Sequence, residues 1–128
     1  MSADSRQIVI DLLRRHVGAD PISTLSLGRP NWVARVDAEH VWVETEKSRR
    51  ERAGPQPIPI DWIADAYEIL TKRKMLTRKD LTTKSSKRSA FIFSVLATLP
   101  DVDCQDRPTE LRVTPSPGSA EGGAEYRD

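Results

Sequence analysis

The sequence predicts an α+β domain in which a β-hairpin packs with three to four helices. Three observations carry this expectation. Apolar residues recur at three- and four-residue spacing over 5–17 and again over 60–74. The period falls to two between Trp32 and Thr45. An almost wholly apolar run, SAFIFSVLATL at 89–99, follows directly on a stretch dense in lysine and arginine.

The first helix is expected over Ser5–Val17, with Ile8, Val9, Leu12, Leu13 and His16 as its apolar stripe and Arg14 and Arg15 facing away. Gly18 and then Pro21 stop it. His16 reads as a boundary residue, because no second metal ligand sits at helical spacing from it. Residues 22–31 read as a connector that opens with a short strand. In the hairpin, Trp32, Ala34, Val36, Val41, Val43 and Thr45 form the expected inner face. Trp42 then faces outward, opposite Arg35. A cross-strand cation–π pair accounts for that placement, and a stacking platform for a base is the functional alternative.

Residues 46–58 read as a polar loop with Lys47, Arg49, Arg50 and Arg52, and Pro55, Pro57 and Pro59 argue against regular structure there. The next helix opens at Pro59 or Asp61 and runs to about Lys74, burying Ile60, Ile63, Ala64, Tyr67 and Leu70. Its acids lie early and its bases late, as the helix dipole favours. Thr77 and Asp80 make a capping-box pattern for a short turn over 78–81. A polar linker, Thr82–Arg88, leads to the last helix at about 87–99, which Pro100 ends. Residues 101–107 read as an acidic loop, and Leu111 and Val113 as a short closing strand. The expected domain is 1–114. The segment 115–128 has no apolar pattern and is expected to be a disordered tail.

The net charge of the 128 residues is +1, but it is unevenly spread. Residues 1–46 carry −2, residues 47–88 carry +7 and residues 89–128 carry −4. Such a block says more about partners than the total does. Cys104 is the one cysteine, so no internal disulfide forms and the chain does not depend on an oxidising compartment. The N-terminus lacks the apolar run of a signal peptide, and no stretch approaches a membrane span. A cytoplasmic protein with no membrane partner is expected.

Enzymatic motifs are sparse. His16 and His40 fall on different elements, and no phosphate-binding glycine loop, GxSxG or HExxH occurs. No cofactor or metal is expected. The stretch DVDCQD resembles the start of a calcium loop but lacks its central glycine, and the twelfth position is Arg112. A metal-dependent nuclease would need clustered carboxylates. Glu44 and Glu46 beside Lys47 come closest, sharing one face of an extended strand.

Binding to nucleic acid fits better. The stretch KRKMLTRKDLTTKSSKR at 72–88 holds eight lysines and arginines and one acid. The turn at 78–81, the linker and the helix at 87–99 have the layout of a helix-turn-helix, which makes the expected fold winged-helix-like. Lys72, Arg73, Lys74, Arg78, Lys79, Lys84, Lys87, Arg88 and Ser89 are the expected phosphate contacts. Arg49, Arg50 and Arg52 form a second arm, and Trp42 with Arg35 a stacking platform. The last helix has little polar face, so phosphate gripping is expected rather than base readout. The alternative is a protein-interaction adaptor, or an antitoxin-like partner, whose basic face docks on an acidic protein.

The pieces GRPNW at 28–32, VWVETEKS at 41–48, GPQPIPIDW at 54–62, LTRKDL at 76–81 and KRSAFIFSVLATLPDVD at 87–103 together resemble a small bacterial module. That module is associated with multidomain DNA-processing proteins such as restriction nucleases and helicases. The resemblance spans about residues 20–114. It implies duplex DNA as partner and a setting in bacterial defence or DNA transactions. It also draws attention to Arg29, Asn31, Thr45, Ser48, Arg88 and Ser89, whose alternative roles are turn chemistry and helix capping.

Overall fold

The computed structural model describes residues 3–24, 28–105 and 110–114. The expected tail at 115–128 lies outside them. The first helix, α1 (Ala3–Arg14), buries Val9, Ile10, Leu12 and Leu13. Ile8, expected in the stripe, stays 41% exposed. Ile8 and Ile10 flank the stripe on opposite sides, and tertiary packing covers the Ile10 side only. Gly18, at φ 73°, takes the left-handed turn that leads the chain away from the helix.

Four antiparallel strands follow: β1 (Ile22–Ser23), β2 (Pro30–Val36), β3 (His40–Thr45) and β4 (Gln56–Pro59), hydrogen-bonded in that order. The β2–β3 hairpin is present, but its register corrects the expected inner face. Val36 faces Val41, Arg35 faces Trp42, and then Val33 faces Val43. Ala34 is therefore an extra residue, a β-bulge. The bulge reverses the alternation within β2, so Val33 and Val36 both lie on the face of Val41 and Val43. Trp32 and Ala34 do not. Val33, Val41 and Val43 are buried, Trp32 is half-buried and Ala34 is exposed.

The stretch 46–58 is more regular than a loop. Thr45 caps a short helix, α2 (Glu46–Arg50): Ser48 N donates to Thr45 Oγ1 at 3.1 Å, and Thr45 N donates to Ser48 Oγ at 2.8 Å. Pro57 and Pro59 lie in strand β4, contrary to the expectation that prolines exclude regular structure. Gln56 faces Val43 and Ile58 faces Val41, and the Ile60 N–H next in that series donates to Glu39 O at 2.9 Å. The period-two spacing turns every proline nitrogen to the outer edge, where the ladder lacks a partner and no N–H is required.

Helix α3 (Ile60–Arg73) buries Ile60, Ile63, Ala64, Ala66 and Leu70, with Tyr67 half-buried. Arg6 of α1 pairs with Asp61 and also donates to Ala38 O, tying two helices to the hairpin turn. Lys74 caps α3 in the left-handed conformation, at φ 64°. A second antiparallel sheet, β5 (Met75–Thr77), β7 (Glu110–Val113) and β6 (Val102–Gln105) in that order, was partly missed by the sequence pattern. Its central strand, β7, is the expected closing strand. Residues 102–105, read as loop, pair with it.

The capping box at Thr77 is present, with Asp80 Oδ2 accepting from Thr77 N at 2.8 Å and Thr77 Oγ1 at 3.2 Å. The 78–81 turn is a single 3-10 turn, Arg78–Asp80. The polar linker is also structured. Thr82 and Ser85 bond reciprocally, at 3.0 and 3.1 Å, and start a 3-10 run over Ser85–Arg88. That run passes directly into α4 (Ser89–Leu96), which ends three residues sooner than the apolar run. Helices and strands of both sheets bury one continuous core, with Phe93, Leu13, Ile58, Leu76 and Leu111 fully enclosed. No helix among the described residues is long and apolar enough to cross a membrane.

Phe93 is 1% exposed in α4, whereas Ala90 of the same helix faces solvent. Phe93→Ala should cost about 3–5 kcal/mol in urea unfolding. Ala90→Ser should change stability by less than about 1 kcal/mol.

Candidate nucleic-acid interface

The basic stretch at 72–88 divides into committed and uncommitted cations. Lys72 Nζ lies 3.9 Å from Glu68 Oε1, one turn back on α3. Arg73 Nη1 bonds Asp80 Oδ1 at 3.2 Å and so joins the end of α3 to the 3-10 turn. Lys74, Arg78, Lys79, Lys84 and Lys87 are exposed and form no ion pair among the described residues. Arg88 is half-buried and likewise unpaired there. Ser89, expected at the edge, is buried at 7% exposed.

The Arg73–Asp80 bond brings α3 and the 80–85 segment around a cleft of about 440 Å³. Its apolar lining is Trp62, Ala66, Ile69 and Leu81. Its charged lining is three carboxylates, Asp65, Glu68 and Asp80, against Lys72 and Arg73. Burial, and then the neighbouring charges of Asp61 and Glu68, raise the Asp65 carboxyl above its ordinary range. This cleft does not suit a polyanion, although it lies within the basic stretch. Lys74, Arg78, Lys79, Lys84 and Lys87 are not among the residues that line it.

Helix α4 corrects the expectation of a helix-turn-helix edge. Every residue from Phe91 to Leu96 is buried, including Ser94, whose hydroxyl donates back to Ala90 O at 2.6 Å. The helix has no free face to lay in a groove. The element before it is 3-10 throughout, so the first helix of such a pair is missing from the described residues.

The outer face of the first sheet pairs cations with aromatic rings. Arg35 lies over the Trp42 ring, 4.1 Å from its centroid, as the cross-strand register places it. Arg49 reaches back from α2 and lies 3.6 Å over the Trp32 ring. Arg49 also bonds Glu44, the cross-strand partner of Trp32, at 3.4 Å. The sequence missed this second pair because the bulge was not foreseen. The signal was available: Val33 and Val36, three apart, face Val41 and Val43, two apart. Arg50 and Arg52 are exposed beyond Arg49, and Arg52 is left-handed at φ 56°.

Trp42 is fixed by its edge. Its Nε1 donates to Asp37 Oδ2 at 3.1 Å, while Glu39 N and His40 N donate to Oδ1 at 2.9 and 2.7 Å. These bonds, led by that from Trp42, hold the Asp37 carboxyl down at about 2.

The nuclease alternative loses its geometry. Glu44 lies in β3 and is paired with Arg49, whereas Glu46 begins α2, so the two do not continue one strand face. Among the described residues no group of three or more His, Cys, Asp or Glu side chains is placed to hold a metal ion. The structure does bring two distant residues together: His16 and Cys104 line one groove of about 560 Å³, with Asp20, Ser94 and Thr98. Burial, and secondarily Arg15, lower the His16 pKa. Asn31, Thr45 and Ser48, singled out by the resemblance, do local work. Asn31 is buried with its amide on Arg29 O at 3.3 Å, and the other two form the α2 box. Comparison of the chain with protein-family models, curated proteins and solved structures gives no match.

The depressed Asp37 pKa sets a pH dependence. The folded state favours the ionised carboxylate, so its stabilising effect is present above the usual 3.8 and is lost as pH falls through about 2. An NMR titration should find the Asp37 carboxyl midpoint near 2. The Trp42 indole N–H signal should move in step with it, and Asp37→Asn should abolish that movement.

Proposed function

We propose that this chain is a nucleic-acid-binding module that holds phosphates through the exposed cations of 74–88. Duplex DNA is the partner, in the cytoplasm and in a bacterial defence or DNA-transaction setting. The observation that carries this reading is the set Lys74, Arg78, Lys79, Lys84 and Lys87. All five are exposed on one short stretch and have no acid partner among the described residues. Lysine is a flexible point charge and suits phosphate contact without base selection. The resemblance to a module of DNA-processing proteins supports the same reading.

A second reading rests on the cleft beside that stretch. Its apolar lining and mixed charges suit a peptide or protein surface better than a phosphate backbone. In that case the basic face steers an acidic protein partner.

Fluorescence anisotropy with a labelled random duplex, across a salt series, tests the first reading. Affinity should fall steeply with salt, and Lys84→Ala with Lys87→Ala should flatten the slope by about 0.9 log unit per lost contact. No binding at low salt would exclude phosphate gripping by this stretch. Pull-down of an acidic partner that the same double variant abolishes would then support docking.

A further inference from the structure

We propose that the outer face of the first sheet is a platform for single-stranded nucleic acid, on which unpaired bases stack against the Trp32–Arg49 and Trp42–Arg35 pairs. This goes beyond the phosphate reading above: it uses other residues and another form of nucleic acid.

Trp32 and Trp42 are diagonal neighbours on one face, since Trp32 faces Glu44 and Trp42 faces Arg35. Diagonal positions of an antiparallel pair are about 7–8 Å apart, within reach of two successive bases of an unstacked strand. Both rings are half-buried, so each keeps part of its surface open. Pro57 lies on the far side of Trp42 and extends the apolar row across β4. A guanidinium on an indole carries charge on a flat, weakly hydrated plane. A base adds to that plane as the next layer, while the N–H edge points to a phosphate.

The charges on the face select the ligand. Glu44 is occupied by Arg49, and Asp37 by the Trp42 indole N–H and two backbone N–H groups. Arg35 is left over the Trp42 ring with no ion pair among the described residues, Arg49 is shared between the Trp32 ring and Glu44, and Arg50 and Arg52 are exposed nearby. The site is thus aromatic and cationic. A cationic ligand is disfavoured because the chain's own guanidiniums already take the ring faces. A proline-rich peptide would gain nothing from those charges, whereas a strand of phosphates would. The Asp37–Trp42 hydrogen bond holds one ring in place, which lowers the ordering cost of binding. Recognition by stacking is tolerant of sequence.

Anisotropy of the full chain with a short labelled oligothymidine tests the proposal, with an abasic oligomer of equal length as the comparison. The abasic strand keeps the phosphates and removes the bases. Wild-type protein should bind the oligothymidine about tenfold or more tightly than the abasic strand. Trp42→Ala and Trp32→Ala should each weaken oligothymidine binding by about fivefold or more and leave duplex binding unchanged. Equal affinity for the two strands would overturn the proposal with no variant needed, so a misfolded variant cannot hide its failure. Capture of a proline-rich peptide with no binding of oligothymidine would also overturn it. Lys84→Ala with Lys87→Ala separates the two readings: it should lower duplex affinity and spare the preference for bases over abasic strand.

Discussion

Burial on one face of the β1–β4 sheet requires β2 and β3 to agree on which side chains point inward. Their sequences do not agree under simple alternation. Val41 and Val43 are two apart, while their partners Val36 and Val33 are three apart. The extra residue at Ala34 reconciles them, with Val33, Val41 and Val43 buried and Val36 packed against the core. The same residue places Trp32 outward beside Trp42, on the face opposite the core. Without the bulge, alternation running back from Val36 would put Val33 outward and Trp32 inward, because a one-residue slip exchanges the two faces of a strand. The arrangement of the outer surface is thus a consequence of how the inner one packs.

Electrostatics then decide which cations remain available. The dense basic stretch in the sequence is less uniform in space. Arg73 joins the end of α3 to the 3-10 turn through Asp80, and Lys72 pairs with Glu68 within the helix. The exposed lysines further on form no ion pair among the described residues. On the first sheet, Arg35 is held against the Trp42 ring, and Arg49 is held by both the Trp32 ring and Glu44. A guanidinium over an indole is worth about 0.5–1 kcal/mol at an exposed site, enough to order it without locking it.

Much of this was legible in the sequence. Helical periodicity located α1 and α3, and alternation located the hairpin and the closing strand. The outward Trp42 with Arg35 across from it followed from the turn and the register alone, because the bulge lies beyond that pair. The misses have physical causes. Prolines in β4 alternate, so an edge strand accommodates them where a central strand would not. Two of the three Thr-x-x caps, at Thr45 and Thr82, end in serine rather than an acid, and serine was not read as the reciprocal partner. Strand β6 is mostly polar and is defined by pairing with β7, which no local pattern reveals. The candidate site was legible in kind, as cations with an aromatic, but not in arrangement, because tertiary contacts decide which cations are already engaged.

The proposed recognition surface uses the two outward indoles and not the third. The indole N–H resonances of Trp32, Trp42 and Trp62 offer the most direct measurement, observed while oligothymidine is added to the full chain. Trp62 belongs to α3 and the cleft, away from the sheet face. The Trp32 and Trp42 signals should shift with a common affinity while Trp62 stays in place. Movement of Trp62 with Trp32 and Trp42 unmoved would contradict the proposal and would place any binding in the cleft.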